Sequence, residues 1–371
     1  MIDFRYHLVS LISVFLALAV GIVLGAGPLK EAIGDTLSGE VDALRERASD
    51  LRTELDETQV ALGLSEEAFA TVAPDLLDGV MPGRRVAVVT VGSVAPGVVE
   101  AVGERIRQSG AEVTASVQIT EAWADPARRA YRQSLAATLV EYLDPVPPQD
   151  AGTGAELAEA LTQSLTTADP ADPDGFSQDA RIVLDVLVEA ELVTLQGEVT
   201  MPADAFVVLV EPAVVAEPPA EGATAEPVDP DEAERREEVI VTSMQIATVA
   251  QARSRGAVVG SGEVVEGGLL ERLRNANLNS RVSTVEAVDT VVGQVSVVLA
   301  LSARMGGPPG HFGPSESATQ LVPPRVVHPP FDRVPEVPEE GLDDGTGSVE
   351  EGTDAVAGGA DGTAAEVETS G

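Results

Sequence analysis

Leu8–Leu29, LVSLISVFLALAVGIVLGAGPL, runs without a charged residue between His7 and Lys30. At about 1.5 Å of rise per residue, a helix of this length reaches roughly 33 Å, enough to cross a hydrocarbon core of about 30 Å. The stretch therefore reads as a transmembrane anchor preceded by a short tail, residues 1–7. A cleaved secretory signal is the first competitor, since Gly25-Ala26-Gly27 supplies small residues. Its basic region would rest on Arg5 alone, however, and the apolar run is longer than a signal needs. A buried core helix fits worst.

Orientation is finely balanced by charge, with Arg5 on one side and Lys30 on the other. The free amino terminus favours a cytoplasmic N-terminus. Glu31, Asp35 and the acidic chain behind them favour a single-pass protein whose ectodomain lies outside. Within the span, Ala17, Gly21 and Gly25 recur every fourth residue. Such a stripe lets two helix backbones approach closely in lipid, although Gly and Ala are also common in spans that pair with nothing.

Beyond the anchor, Leu37, Val41, Leu44, Ala48, Leu51, Leu55, Thr58 and Leu62 alternate spacings of four and three. They make four heptads, with 41, 48, 55 and 62 at a and 37, 44, 51 and 58 at d. The spacing predicts a coiled-coil stalk over residues 36–64, closed by Pro74. In a parallel homodimer Glu40 faces Arg45 and Glu54 faces Gln59, while Arg47 and Arg52 repel. Two readings stand: a homodimer or coiled-coil hetero-partner, or one amphipathic helix folded onto its own domain. The helix-association residues of the first reading are Ala17, Gly21, Gly25, Leu37, Val41, Leu44, Leu51, Leu55 and Leu62.

The 371 residues carry a formal charge of −38, 25 prolines, 35 glycines and 3% aromatics. This balance excludes nucleic acid as a partner and electrostatic adhesion to anionic lipid, which leaves the inserted span as the membrane contact. There is no cysteine, hence neither a disulfide framework nor a thiolate.

From Arg85 the period changes. VAVVTV at 86–91 is a buried strand, Pro96 opens a helix to Gln108, and Glu112–Ile119 is a second strand. Strand, helix and strand at this spacing imply a right-handed parallel crossover. Helical patterns follow at 126–143, 155–165 and 178–190, then the buried strand AFVVLV at 205–210. A helix over 233–255, a short strand at 257–259, a helix over 267–273, an extended 281–283 and a core helix over 288–305 complete it. The fold class is α/β: a transmembrane helix, a stalk and an α/β ectodomain over 80–313 with a short, mostly parallel sheet. Pro212–Pro230 is rich in Pro, Ala and Glu, and 212–231 reads as a disordered insertion. Residues 314–371 read as a disordered acidic tail.

No catalytic constellation is legible, and no enzyme is expected. The three histidines, His7, His311 and His328, lie at the membrane edge or in or near the tail, so no base serves a Ser or Cys nucleophile in the folded part. Two loops between strand and helix, 92–97 and 260–263, are placed where backbone N–H groups cradle anions. Neither matches a nucleotide motif, Glu263 would repel phosphate, and turn chemistry accounts for the glycines. No cofactor-binding residue is assigned.

The opening MIDFRYHLVSLISVFLALAVGIVLGAGPL, the heptads and the closing TVEAVDTVVGQVSVVLALSARMGGPPGHFG resemble the actinobacterial MctB family, named for copper transport. The resemblance runs from Met1 to about Gly313. It implies an envelope protein of copper resistance and homeostasis, with an outer-membrane location and a pore role. The residues support the envelope more than the pore, because a transmembrane barrel needs recurring alternating strands of about ten residues. Copper is implied by the resemblance alone. Met1, Met81, Met201, Met244 and Met305 are scattered, and His311 and His328 are isolated, so no metal site is assigned. The reading is a membrane-anchored, non-enzymatic envelope protein linked to copper homeostasis or efflux. Its alternative is an envelope scaffold for cell-wall assembly or division.

Overall fold

The computed structural model describes residues 4–26, 28–212, 230–275, 282–331 and 333. The chain opens with two helices, α1 (Phe4–Ala26) and α2 (Pro28–Leu77). In α1, Phe4–Val23 is long and apolar enough to cross a membrane, with mean hydropathy 2.3 and no part buried against the rest of the chain. In α2, fifty residues run as one helix, about 75 Å long. It continues past Pro74 to Leu77, where a closing proline was expected. Ala73 and Leu77 are fully buried in the α/β body there, and that packing outweighs the missing N–H of one proline.

The body alternates strand and helix: β1 (Arg85–Val91), α3 (Pro96–Gln108) and β2 (Glu112–Ile119) form the expected first unit. After two 3-10 turns come α4 (Arg129–Leu139) and α5 (Thr153–Thr166), the hairpin β3 (Ala168–Asp169) and β4 (Asp172–Phe176), then α6 (Gln178–Glu189), β5 (Val193–Leu195) and β6 (Ala205–Val210). The second half holds α7 (Pro230–Arg253), β7 (Ala257–Gly260), α8 (Leu269–Asn275), β8 (Ser283–Val285), α9 (Val291–Gly306) and β9 (His311–Phe312).

Seven strands make one sheet in the order β5-β2-β1-β6-β7-β8-β9. All neighbours pair in parallel except β5, which lies antiparallel to β2 at one edge. Strands β1 and β6 are buried at every position, as a sheet covered on both faces requires. Their alternate residues divide the core. Ala87, Val89, Val91, Phe206 and Val208 face the layer that includes α5, α6 and α7. Val86, Val88, Ala205, Val207 and Leu209 face α3, α9 and the end of α2.

The hairpin and the edge strands β5 and β9 had no counterpart in the sequence reading, because runs of two to five residues carry too little periodicity. The insertion expected at 212–231 falls largely outside the described residues. The expected tail begins later than Gly313. Residues 321–331, with Arg333, form a strap whose Arg325 guanidinium donates to the carbonyls of Leu76 (2.9 Å) and Asp78 (2.8 Å). His328 N–H donates to Val80 O (3.1 Å), and its Nε2 bonds Ser302 O (2.7 Å). Phe331 stacks under the guanidinium groups of Arg84, Arg255 and Arg333 at 4.8, 4.0 and 5.0 Å. Proline-rich composition hid this segment, since its bonds to Leu76, Asp78 and Val80 run to residues about 250 positions away. Residues 334–371 of the expected tail lie outside the described residues.

Candidate functional site

Two features of the structure hold chemistry: the unpartnered helix face on α1 and α2, and a crevice at one end of the sheet. On the helices, Val41 is 39% exposed, Leu44 59%, Leu51 65%, Leu55 55% and Leu62 60%. Ala17 is exposed, and space is open where a Cβ would be added at Gly21. Gly25 and Leu37 lie within α1 and α2, but their side chains fall outside the described residues. The seam therefore faces away from the body along its whole described length. The alternative of an amphipathic helix folded onto its own domain applies only to the last turns, where Phe69, Ala73, Leu76 and Leu77 join the core.

The crevice lies at the carboxyl ends of β1, β2 and β6. After β1 the chain moves to β2 on one side, and it returns to β6 on the other side of β1. The order thus reverses between β1 and β6, and open α/β sheets bind ligands beside such a reversal. A cleft of about 830 Å³ occupies this position, lined by the ends of β1, β2 and β6, by β5 and by the first turns of α7. A smaller cleft of about 350 Å³ adjoins it and shares Trp123, Ala124, Glu238 and Thr242.

The loop after β1 is not free to hold an anion from solution. Gly92 takes φ +75, the left-handed turn expected of it. The Glu211 carboxylate, carried on the end of β6, folds over it and accepts from Ser93 N–H at 2.7 Å. A Cβ on Gly92 would sit 2.5 Å from Glu211 Oε2. The second loop is closed differently. A Cβ on Gly260 would come within 2.8 Å of Val288 Cγ1, and one on Gly262 within 2.7 Å of Pro212 Cβ. Close packing, and not the turn chemistry expected from the sequence, demands glycine at 260 and 262.

Across the crevice, the Glu238 carboxylate on α7 accepts no hydrogen bond among the described residues. Burial raises its pKa, and the charges of Glu234 and Asp125 raise it further against the lowering effect of Arg132 and Arg129. The folded state thus holds the Glu238 proton more tightly than the unfolded chain, whose carboxyl titrates near 4.5. Ionised Glu238 costs stability at neutral pH, and the cost disappears below that value. Glu238→Gln should raise the melting temperature slightly at pH 7, with the gain fading as the pH falls toward 4.5 and lost below it. A variant equally or less stable at pH 7 contradicts this sign.

Trp123, Glu211, Glu234 and Glu238 were not singled out by sequence reasoning. The available signal was position: Glu211 directly follows a fully buried strand, and Trp123, the only tryptophan, follows β2 by four residues.

The soft and imidazole groups are dispersed. Met81 is fully buried in the core, while Met244 and Met305 pack against the two opposite faces. His311 Nδ1 bonds Thr284 Oγ1 at 3.0 Å, and burial lowers its pKa. Among the described residues no three of His, Cys, Asp and Glu come together to hold a metal ion.

Comparison with known proteins gives one consistent family. The copper transporters MctB of Mycobacterium bovis and Mycobacterium tuberculosis are each 26% identical to this chain over 332 residues, covering 86% of it and 99% of their own length. The family model described as "Copper transport outer membrane protein, MctB" matches residues 1–323. The resemblance found at the N-terminal span, the heptads and the α9 segment therefore extends through the strap's first residues, and the chain belongs to the MctB family.

Proposed function

We propose that this chain is a membrane-anchored, non-enzymatic envelope protein that serves copper homeostasis as an assembled, stalked unit. The observation that carries the reading is the succession in the chain of an exposed, bilayer-length helix and a fifty-residue helix whose described apolar seam is also exposed. α1 crosses the membrane with its N-terminus in the cytoplasm, α2 forms a parallel coiled-coil stalk, and the α/β body is held outside. The family description supports copper transport, and the helical anchor supports a single-pass attachment to the membrane that bounds the cytoplasm.

Copper is cargo in this reading, and the chain contributes by assembly more than by chelation. Cu(I) prefers thiolate and thioether ligands and Cu(II) imidazole, yet the described methionines and histidines are separated or spent on packing and internal hydrogen bonds. No histidine or cysteine lines either cleft beside a serine or threonine, which supports a non-enzymatic role.

A gene deletion complemented by two variants tests this. Cell-associated copper should return to normal with Met81→Leu, Met201→Leu, Met244→Leu and His311→Gln combined, a set that removes soft ligands while conserving volume. It should stay abnormal with glutamate at 44, 51 and 55. The reverse pattern, with folded protein in both strains, would replace assembly by direct metal handling.

A further inference from the structure

We propose that the crevice at the carboxyl ends of β1, β2 and β6 is a binding site for a small organic cation bearing two or more amino groups. The place is the one where open α/β sheets receive ligands, and a cleft of about 830 Å³ is of small-molecule size. Its charge selects the class. In folds that bind phosphate here, the loop after the first strand offers its N–H groups to the anion. Here Glu211 takes Ser93 N–H at 2.7 Å and covers Gly92, so a phosphate would meet a carboxylate in its own seat.

The remaining charges point the same way. Among the lining residues, the side-chain carboxylates of Glu121, Glu234 and Glu238 accept no hydrogen bond within the described chain, against one similarly uncommitted guanidinium, Arg235. Arg128 is held by Glu191 at 3.1 Å. Arg132, in the adjoining cleft, is spent on the carbonyls of Ala122 and Asp125. The carboxylates do not converge closely enough to hold a bare metal ion, so their counter-charge must be spread along a molecule. Ammonium groups separated by methylenes meet both the acidic rim and the apolar floor of Val91, Ile119 and Val239. The adjoining cleft is lined by Arg129 and Arg132, so the ammonium groups of the ligand stop at Glu238.

Trp123 lines both clefts and is the only tryptophan in the chain, so its fluorescence reports this place. Titrating the full chain in detergent at 0.15 M salt with spermidine should give a saturable change in that fluorescence, and ATP should give none. Glu234→Gln with Glu238→Gln removes two of 61 acidic residues and should weaken the spermidine response about tenfold. An unchanged titration in the double variant would mean diffuse attraction to an acidic protein and would overturn the site. So would a non-saturable spermidine response, or saturable ATP binding. Circular dichroism and the melting temperature of the double variant confirm that it is folded, and Glu121→Gln alone provides a second, independent loss of affinity if it is not.

Discussion

Glutamate at Leu44, Leu51 and Leu55 together should dissolve the α2 pair proposed above and leave the α/β body intact. Full burial of one leucine side chain contributes about 1.5–3 kcal/mol. These three are 59%, 65% and 55% exposed on the single helix, so pairing recovers roughly 60% of that, about 3–5 kcal/mol from each chain. Their replacement by charge in both chains should weaken association by a factor of roughly 10⁴ to 10⁸ before any repulsion between the new carboxylates is added. The body should not notice, because its contacts with α2 begin near Phe69, fourteen residues beyond Leu55. Sedimentation of the full chain in detergent checks the oligomer, and near-UV circular dichroism checks the body. An unchanged oligomer would show that the seam is not the interface. The opposite change is also informative: Arg47→Glu turns the repelling Arg47–Arg52 pair of a parallel dimer into an attractive one and should tighten it.

The second large effect lies at the far edge of the sheet, where Glu286→Ala should cost about 3–5 kcal/mol of folding stability. Arg274 and Glu286 form an ion pair at 2.7 Å with side chains 3% and 2% exposed. The Arg274 Nη1 also donates to Ser317 Oγ at 2.7 Å and Ser315 Oγ at 3.0 Å, and its Nε to Thr284 Oγ1 at 3.1 Å. Ser315 returns the bond through its Oγ–H to Glu286 Oε1 at 2.6 Å. Losing the carboxylate leaves a guanidinium buried with hydroxyl partners only, and Arg274 Nη2 already lacks a partner among the described residues. Ser315→Ala, which leaves both charges in place, should cost only about 1–3 kcal/mol. Replacing the pair together, Arg274→Met with Glu286→Leu, should recover most of the loss. Chemical unfolding of the three variants measures the series. A Glu286→Ala loss no larger than that of Ser315→Ala would show that the ion pair does not govern this edge.

Local pattern was enough for the long elements. A 22-residue uncharged run, an unbroken heptad, and the strands 86–91, 112–119 and 205–210 each carry their period within a short window; residues 8–26 lie in α1, the heptad positions in α2 and the three strand stretches in β1, β2 and β6. The parallel sheet followed from the strand–helix–strand spacing, because parallel neighbours need a crossover. The apolar seam on α2 was legible for the same reason, since a seam is a property of one helix. Whether the seam has a partner is decided between chains.

Tertiary structure decided the rest, where the relevant contacts join distant positions. The strap residues read as tail because their partners lie in α2, α9 and the β1 approach, and no period links Arg325 to Leu76 or Arg333 to Asp204. The buried Arg274–Glu286 pair could not be told from surface charge, because the sequence shows 61 acidic residues without showing which one loses water. The crevice is the clearest case. Ser93, Trp123, Glu211 and Glu238 come from four separate elements, and only the reversal of strand order between β1 and β6 brings them together. The sequence by itself thus determined the span, the seam and the α/β class through local hydrophobic periodicity. The edge strands, the strap and the acidic crevice were decided by packing, because desolvation and hydrogen bonding act on neighbours in space.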